Sequence, residues 1–101
     1  MLTHIVWWTL KPEAGGKSAA ENAASIRQAL SDLRGRIPEL RELAVSTRIL
    51  DSSTESAELV LVTRHDDAEG LKAYAAHPDH QKVVVMLKEA AASRKAIDFT
   101  D

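Results

Sequence analysis

The feature that most constrains the fold is a run near the start of the chain that is apolar on both of its faces. Residues 2–10 are rich in β-branched and aromatic side chains and are followed by Lys11-Pro12, which predicts a β-strand that ends there. Side chains alternate along a strand, so one face carries Leu2, His4, Val6, Trp8 and Leu10, and the other carries Ile5, Trp7 and Thr9. A strand with large apolar groups on both faces must be covered on both sides.

Two helix regions can be predicted from their caps and apolar spacing. Ser18 and Glu21 form a capping box ahead of an apolar stripe, and Gly35 and Pro38 mark the end of that first helix. In the second region, Asp66 or Asp67 caps a short helix that runs through residue 76. Because proline suits a first helical position, residue 78 starts a further helix that is expected to reach about residue 94.

Three further strands complete the pattern, at residues 40–50, 57–64 and 96–100, and residues 13–17 are expected to form a loop. The order is β-α-β-β-α-β with the last helix broken in two. This is the split-βαβ, ferredoxin-like arrangement, an α+β fold with helices on one face of an antiparallel sheet. Residues 1–101 are expected to form this one domain.

The strand at residues 57–64, like the first, is apolar on both faces, and the helices can cover only one face of the sheet. The other face would leave a large exposed apolar patch on a monomer. We therefore predict a homodimer in which two sheets pack face to face. Trp7 and Trp8 point in opposite directions, so one is expected at this interface and the other in the core or a pocket wall.

Composition excludes several functional classes. The 101 residues carry 13 basic and 15 acidic side chains without strong clustering, which predicts no nucleic-acid and no membrane partner. There is no cysteine, which excludes disulfides, thiolate metal sites and a cysteine nucleophile. No run reaches the ~20 apolar residues of a membrane-spanning helix, and no signal-like leader precedes the first strand. A cytoplasmic location is therefore expected.

Two motifs and the last strand resemble one known family. His4-Ile5-Val6-Trp7-Trp8-Thr9-Leu10-Lys11 and the stretch from Tyr74 to Val84, Tyr-Ala-Ala-His-Pro-Asp-His-Gln-Lys-Val-Val, resemble the stress-responsive dimeric α/β-barrel domain family, as does the closing Ile97-Asp98-Phe99. The resemblance spans essentially the whole chain. It implies a homodimer whose two sheets form a barrel with the helices outside, and it implies no cofactor.

The resemblance also implies candidate catalytic residues. In one member, a plant polyketide cyclase that makes olivetolic acid by an aldol ring closure, a tyrosine and the second histidine of the Tyr-x-x-His-Pro-x-His pattern act as an acid/base pair. Those roles fall here on Tyr74 and His80. Trp8 stands where the cyclase has a smaller side chain, so the cavity shape, and with it the substrate, is expected to differ.

His80 also stands out from its position in the sequence. In the first turn of a helix, unpaired amides disfavour the imidazolium, so His80 should stay neutral and serve as a base, although Asp79 partly opposes this. Tyr74 could stabilise an enolate. The alternatives are that His80 caps its own helix or packs in the core, and that the Tyr74 hydroxyl is already bonded within the protein.

The predicted ligand-binding residues are His4, Val6, Trp8, His77 and Val84. His77 could instead simply cap the following helix. His4, His77 and His80 together could form a three-histidine metal site, but no carboxylate is placed to orient them, so we predict no metal. His65 is expected to be exposed.

Two main functions follow. The first is binding of a small metabolite in a pocket between sheet and helices. The alternative is a cofactor-free enzyme that acts on a ketone-bearing or phenolic metabolite with His80 as general base and Tyr74 as acid or oxyanion donor. A metal-binding dimer is a minor third possibility. The enzyme hypothesis requires that Tyr74 and His80 open onto a cavity.

Overall fold

The computed structural model describes residues 1–101 and has the predicted α+β architecture. The elements are β1 (Leu2–Leu10), β2 (Glu13–Ala14), β3 (Lys17–Ser18), α1 (Ala19–Ser31), β4 (Glu42–Ser46), β5 (Leu59–His65), α2 (Ala68–Ala76), α3 (Pro78–Ala90) and β6 (Ala91–Thr100). Four strands form one antiparallel sheet in the order β4-β5-β1-β6. The helices pack on one face of it, which confirms the predicted ferredoxin-like fold.

The core lies between the helices and the sheet face that carries the even-numbered residues of β1. Val6, Trp8 and Leu10 are buried there beside Leu59 and Leu61 of β5. The helices contribute Ala23, Ile26, Leu30, Tyr74, Val83 and Leu87. The alternation in β1 therefore places its residues as predicted. No helix is both long and apolar enough to cross a bilayer.

The opposite face of the sheet has no covering element. Ile5 and Trp7 of β1 are half-buried there, and each pairs with a residue of the edge strand β6. On β6, Ile97 and Phe99 remain 56% and 45% exposed. We call this surface the open face, defined by Ile5, Trp7, Val60, Val62, Ile97 and Phe99.

Helix α1 begins as predicted and ends earlier than predicted. The Ser18 hydroxyl accepts a hydrogen bond from the Glu21 amide, and the Glu21 carboxylate accepts one from the Ser18 amide, so the capping box is present. After Ser31 the chain tightens into turns with i→i+3 hydrogen bonds. Gly35 follows with a positive φ of 79°.

The pairing of strands moves three other boundaries. β4 ends at Ser46 rather than at residue 50, because its last paired position is opposite Val60, near the start of β5. Residues 13–18 form a small hairpin rather than a loop. α3 ends at Ala90 and β6 starts at once, because β1 is long enough to pair with the whole of residues 91–100. Tertiary pairing thus overrides the helical preference of an alanine-rich segment.

Candidate functional site

A cavity of about 580 Å³ lies between the helix-covered face of the sheet and helices α2 and α3. Its size falls in the range of small-molecule sites. Most of its wall is apolar, and the polar groups come from few positions. The lining consists of His4, Val6, Trp8, Leu30, Leu61, Leu71, Tyr74, Ala75, His80, Val84, Leu87, Lys88, Ala91, Arg94 and Asp98.

Tyr74 is held in the wall by helix α2, which Asp67 caps through the Gly70 amide. The side chain is only 1% exposed, yet no protein group forms a hydrogen bond with its hydroxyl. Burial raises the pKa of the Tyr74 phenol, so the hydroxyl keeps its proton at neutral pH. The Tyr74 hydroxyl is therefore a buried hydrogen-bond donor without a partner, on a side chain that lines the cavity.

His80 lies in the first turn of α3, and a hydrogen bond through one of its two ring nitrogens holds the imidazole in place. Its Nδ1 is 3.0 Å from the Ala75 carbonyl oxygen. A carbonyl only accepts hydrogen bonds, so Nδ1 carries the proton and Nε2 of the neutral ring keeps its lone pair. Burial is the main cause that lowers the pKa of His80, and the positive charges of His4 and Arg94 act in the same direction. A neutral imidazole with a free Nε2 is suited to act as a base.

The two predicted catalytic residues are in direct contact. The ring centroids of Tyr74 and His80 are 4.4 Å apart and the planes are inclined by 51°. They do not form a hydrogen bond with each other, so each keeps its polar atom for a third partner. Both line the same cavity, which meets the condition that the enzyme hypothesis requires.

His4 reaches the cavity wall from β1 and is bound to a residue that sequence reasoning missed. Its Nδ1 forms a hydrogen bond with Asp98 Oδ1, and the two residues are register partners on β1 and β6. Only 12% of the His4 side chain is exposed. The alternation of β6, with Ile97 and Phe99 on the open face, could have located Asp98 on the cavity side. Val6, Trp8 and Val84 also line the cavity.

His77 lies outside the cavity, in contrast to its prediction as a ligand-binding residue. It is the N-cap of α3, and its Nδ1 accepts a hydrogen bond from the Asp79 amide at 3.1 Å. His77 thus has the helix-capping role that was its alternative. No three potential metal ligands among histidine, aspartate and glutamate come together in the structure.

The prediction that His65 is exposed was wrong. The residue is fully buried at the end of β5. Its Nδ1 donates to the Glu39 carbonyl at 2.8 Å, which leaves Nε2 to accept from the Thr63 hydroxyl at 2.9 Å. Its ring lies 4.9 Å from that of Tyr74. Leu59, Leu61 and Thr63 are alternate residues of β5 whose side chains face the core. Continuing this alternation to the next such position, His65, would have predicted that it is buried.

Solved structures with the same fold are similar to the chain over nearly its whole length. A dimeric protein of unknown function from Bacteroides fragilis has a TM-score of 0.85 and 24% identity, covering 99% of this chain and 95% of that one. A dimeric ferredoxin-like protein of unknown function from Thermobifida fusca has a TM-score of 0.82 and 25% identity, covering 99% and 90%.

A more distant structure is that of SnoaB, a cofactor-independent oxygenase from Streptomyces nogalater. Its TM-score is 0.73 at 16% identity, covering 99% of this chain and 91% of that one, a likeness of fold alone. No protein of curated function matches the sequence. The model of one family, described as Stress responsive A/B Barrel Domain, matches residues 2–101. The chain therefore belongs to the stress-responsive A/B barrel domain family.

Proposed function

We propose that this protein is a homodimer that binds a small ketone-bearing or phenolic metabolite in the cavity between its sheet and helices, without a cofactor. The observation that supports this most directly is the unpaired hydroxyl of Tyr74, a residue of the mostly apolar cavity wall. A buried polar group left without a partner costs about 1–3 kcal/mol. A ligand oxygen that accepts this hydrogen bond would recover that energy and would fix the orientation of the ligand.

The homodimer is proposed from the open face. Its apolar side chains need a cover that the chain itself does not supply, and the solved relatives from Bacteroides fragilis and Thermobifida fusca are described as dimeric. Sheet-on-sheet packing would cover the face. It would leave the cavity on the far side of the sheet accessible.

The binding proposal can be tested with two probes that differ in one oxygen. 2-Acetylnaphthalene carries a ketone, and 2-ethylnaphthalene has a similar shape without it. The wild type should bind the ketone more tightly, and Tyr74→Phe should remove that preference. The loss of one hydrogen bond corresponds to a roughly two- to tenfold change in affinity. Equal affinity of the wild type for both probes would contradict the role of Tyr74, and failure to bind either would contradict the pocket.

Catalysis by proton transfer is a second candidate function, favoured by the neutral His80 with its free Nε2. Nε2 would take a proton from the carbon next to a ketone, and the electron pair of the broken C–H bond would move onto the carbonyl oxygen. The Tyr74 hydroxyl, which keeps its proton, would donate a hydrogen bond to the enolate formed.

This reaction predicts exchange of the methyl protons of 2-acetylnaphthalene in heavy water, followed by proton NMR. The wild type should accelerate exchange above the buffer rate, and His80→Gln should abolish the acceleration. His77→Asn serves as the matched control, since that histidine lies outside the cavity and asparagine can keep its helix-capping hydrogen bond. A wild-type rate equal to that of buffer would contradict catalysis and leave the binding proposal standing.

A further inference from the structure

Two cationic side chains line the cavity without a counter-ion. Lys88 lies in the last turn of α3 and Arg94 on β6, on either side of the junction between these elements. Neither takes part in any ion pair or side-chain hydrogen bond of the structure, although six ion pairs are formed outside the cavity. Asp98 is the one carboxylate of the lining, and it is already bound to His4.

The two cations stand where the cavity opens to solvent. Both are exposed at the surface, whereas Val6 and Trp8 on the sheet side of the cavity are buried. Arg94 is the register partner of Trp8 on the neighbouring strand, so its side chain projects from the sheet face that forms the cavity floor. Its charge also reaches His80, whose pKa it helps to lower.

Helix stabilisation explains only one of the two. A lysine in the last turn interacts favourably with the negative end of the helix dipole, which accounts for Lys88. Arg94 belongs to a strand and has no such role. An apolar cavity with two unpaired cations at its opening is complementary to a molecule with an apolar body and one anionic end.

We propose that the ligand of this cavity is an amphipathic carboxylate, with its apolar body against Val6, Trp8 and Val84 and its carboxylate held at the opening by Arg94 and Lys88. This rests on the proposed binding function and adds to it the charge of the ligand. Arginine suits the role because its planar guanidinium can bind both carboxylate oxygens.

The experiment compares decanoate with decanamide, which have the same apolar chain and differ in charge. Each is used to displace the neutral fluorescent dye N-phenyl-1-naphthylamine from the wild type. Decanoate should displace the dye at about tenfold lower concentration than decanamide, as one favourable charge interaction implies. The preference should shrink as salt rises from ~0.05 M to ~0.5 M, because the opening is exposed to solvent.

The variant Lys88→Gln/Arg94→Gln should lose the preference and still bind the dye. The matched control Arg48→Gln/Lys82→Gln removes two positive charges from exposed positions outside the cavity and should keep the preference. Circular dichroism and melting temperature verify that each variant is folded.

Three outcomes would overturn the proposal. Equal displacement by decanoate and decanamide in the wild type would do so and would leave the neutral-ligand function intact. A preference that persists in Lys88→Gln/Arg94→Gln would place the anion elsewhere. Dye binding that is absent in the wild type, or unaffected when Val84→Trp narrows the cavity, would reject the cavity as a binding site and with it both proposals.

Discussion

The imidazole of His65 packs against the phenol ring of Tyr74, with ring centroids 4.9 Å apart, and both of its nitrogens are bonded within the protein. Tyr74 in turn contacts His80. Tyr74 thus contacts both histidine rings, of which His80 lines the cavity and His65 does not. Because His65 has no polar atom left for a ligand, its role is to support Tyr74 from behind.

We expect His65→Ala to destabilise the protein by about 2–4 kcal/mol. The substitution leaves the Glu39 carbonyl and the Thr63 hydroxyl without their partner, and it opens a space beside Tyr74. Urea denaturation followed by circular dichroism measures the change. Lys72→Ala, at an exposed position of α2, should stay within about 0.5 kcal/mol. A His65 variant as stable as this control would refute the supporting role.

Tyr74→Phe should leave the free energy of unfolding unchanged or raise it by up to about 1 kcal/mol. The substitution removes a buried hydroxyl that has no partner and keeps the ring that packs between two histidines. Tyr74→Ala, which deletes the ring as well, should lose about 3–5 kcal/mol. If Tyr74→Phe were destabilised by more than about 1 kcal/mol, the hydroxyl would have a partner in the protein.

Stability should fall as the pH drops below about 6.5. His65 and His80 have their pKa lowered from 6.5 in the folded protein, in both cases mainly by burial. In the unfolded chain they take up protons at their ordinary pKa, so acid favours the unfolded state. Their contribution is complete above the unfolded pKa and is lost as the pH falls from there towards the lower folded pKa.

Urea midpoints measured between about pH 8 and pH 5 would show this dependence. His80→Gln should reduce the slope, since one of the two histidines is then absent. A midpoint that is constant over this range, or rises towards acid, would show that the two histidines are not buried in the neutral form.

Ile97→Asp should convert the proposed dimer into a monomer at micromolar concentration. Ile97 lies on the open face and is 56% exposed in the single chain, so a carboxylate there would be buried unpaired between two sheets. Val85→Asp is the matched control, because Val85 is 67% exposed on α3, away from the open face. Analytical ultracentrifugation distinguishes the two. Dimers that survive in Ile97→Asp would place the interface elsewhere.

The fold could be predicted well because strand alternation and helix caps depend only on residues that are close together in the sequence. The double-sided β1, the capping box at Ser18 and the helix start at Pro78 are all present. Boundaries that depend on a distant partner were predicted less well. β4 ends where its pairing with β5 ends, and β6 begins where its pairing with β1 begins. Neither boundary can be predicted from the sequence of β4 or β6 alone.

The candidate site, too, could be predicted where local sequence pattern places a residue, and could not where a distant strand does. His4, Val6, Trp8, Tyr74, His80 and Val84 do meet around one cavity. Asp98, Lys88 and Arg94 were not foreseen, because their place at the cavity follows from the early end of α3 and from the register of β6 on β1. The resemblance implied His77 as a neighbour of the pocket, whereas in the structure it is the N-cap of the helix that begins at Pro78.

Because side chains alternate strictly along β1, neighbouring residues of this strand belong to two different surfaces of the protein. His4, Val6 and Trp8 line the cavity, whereas Ile5 and Trp7 belong to the open face. A substitution at an even position alters what the pocket accepts and leaves the opposite surface as it was. If the proposed binding and dimerisation hold, substitutions at the even positions can change ligand specificity without changing the dimer interface. A single-residue deletion in β1, by contrast, would move the cavity-lining side chains to the open face and the open-face side chains into the cavity. We expect selection to remove such a deletion.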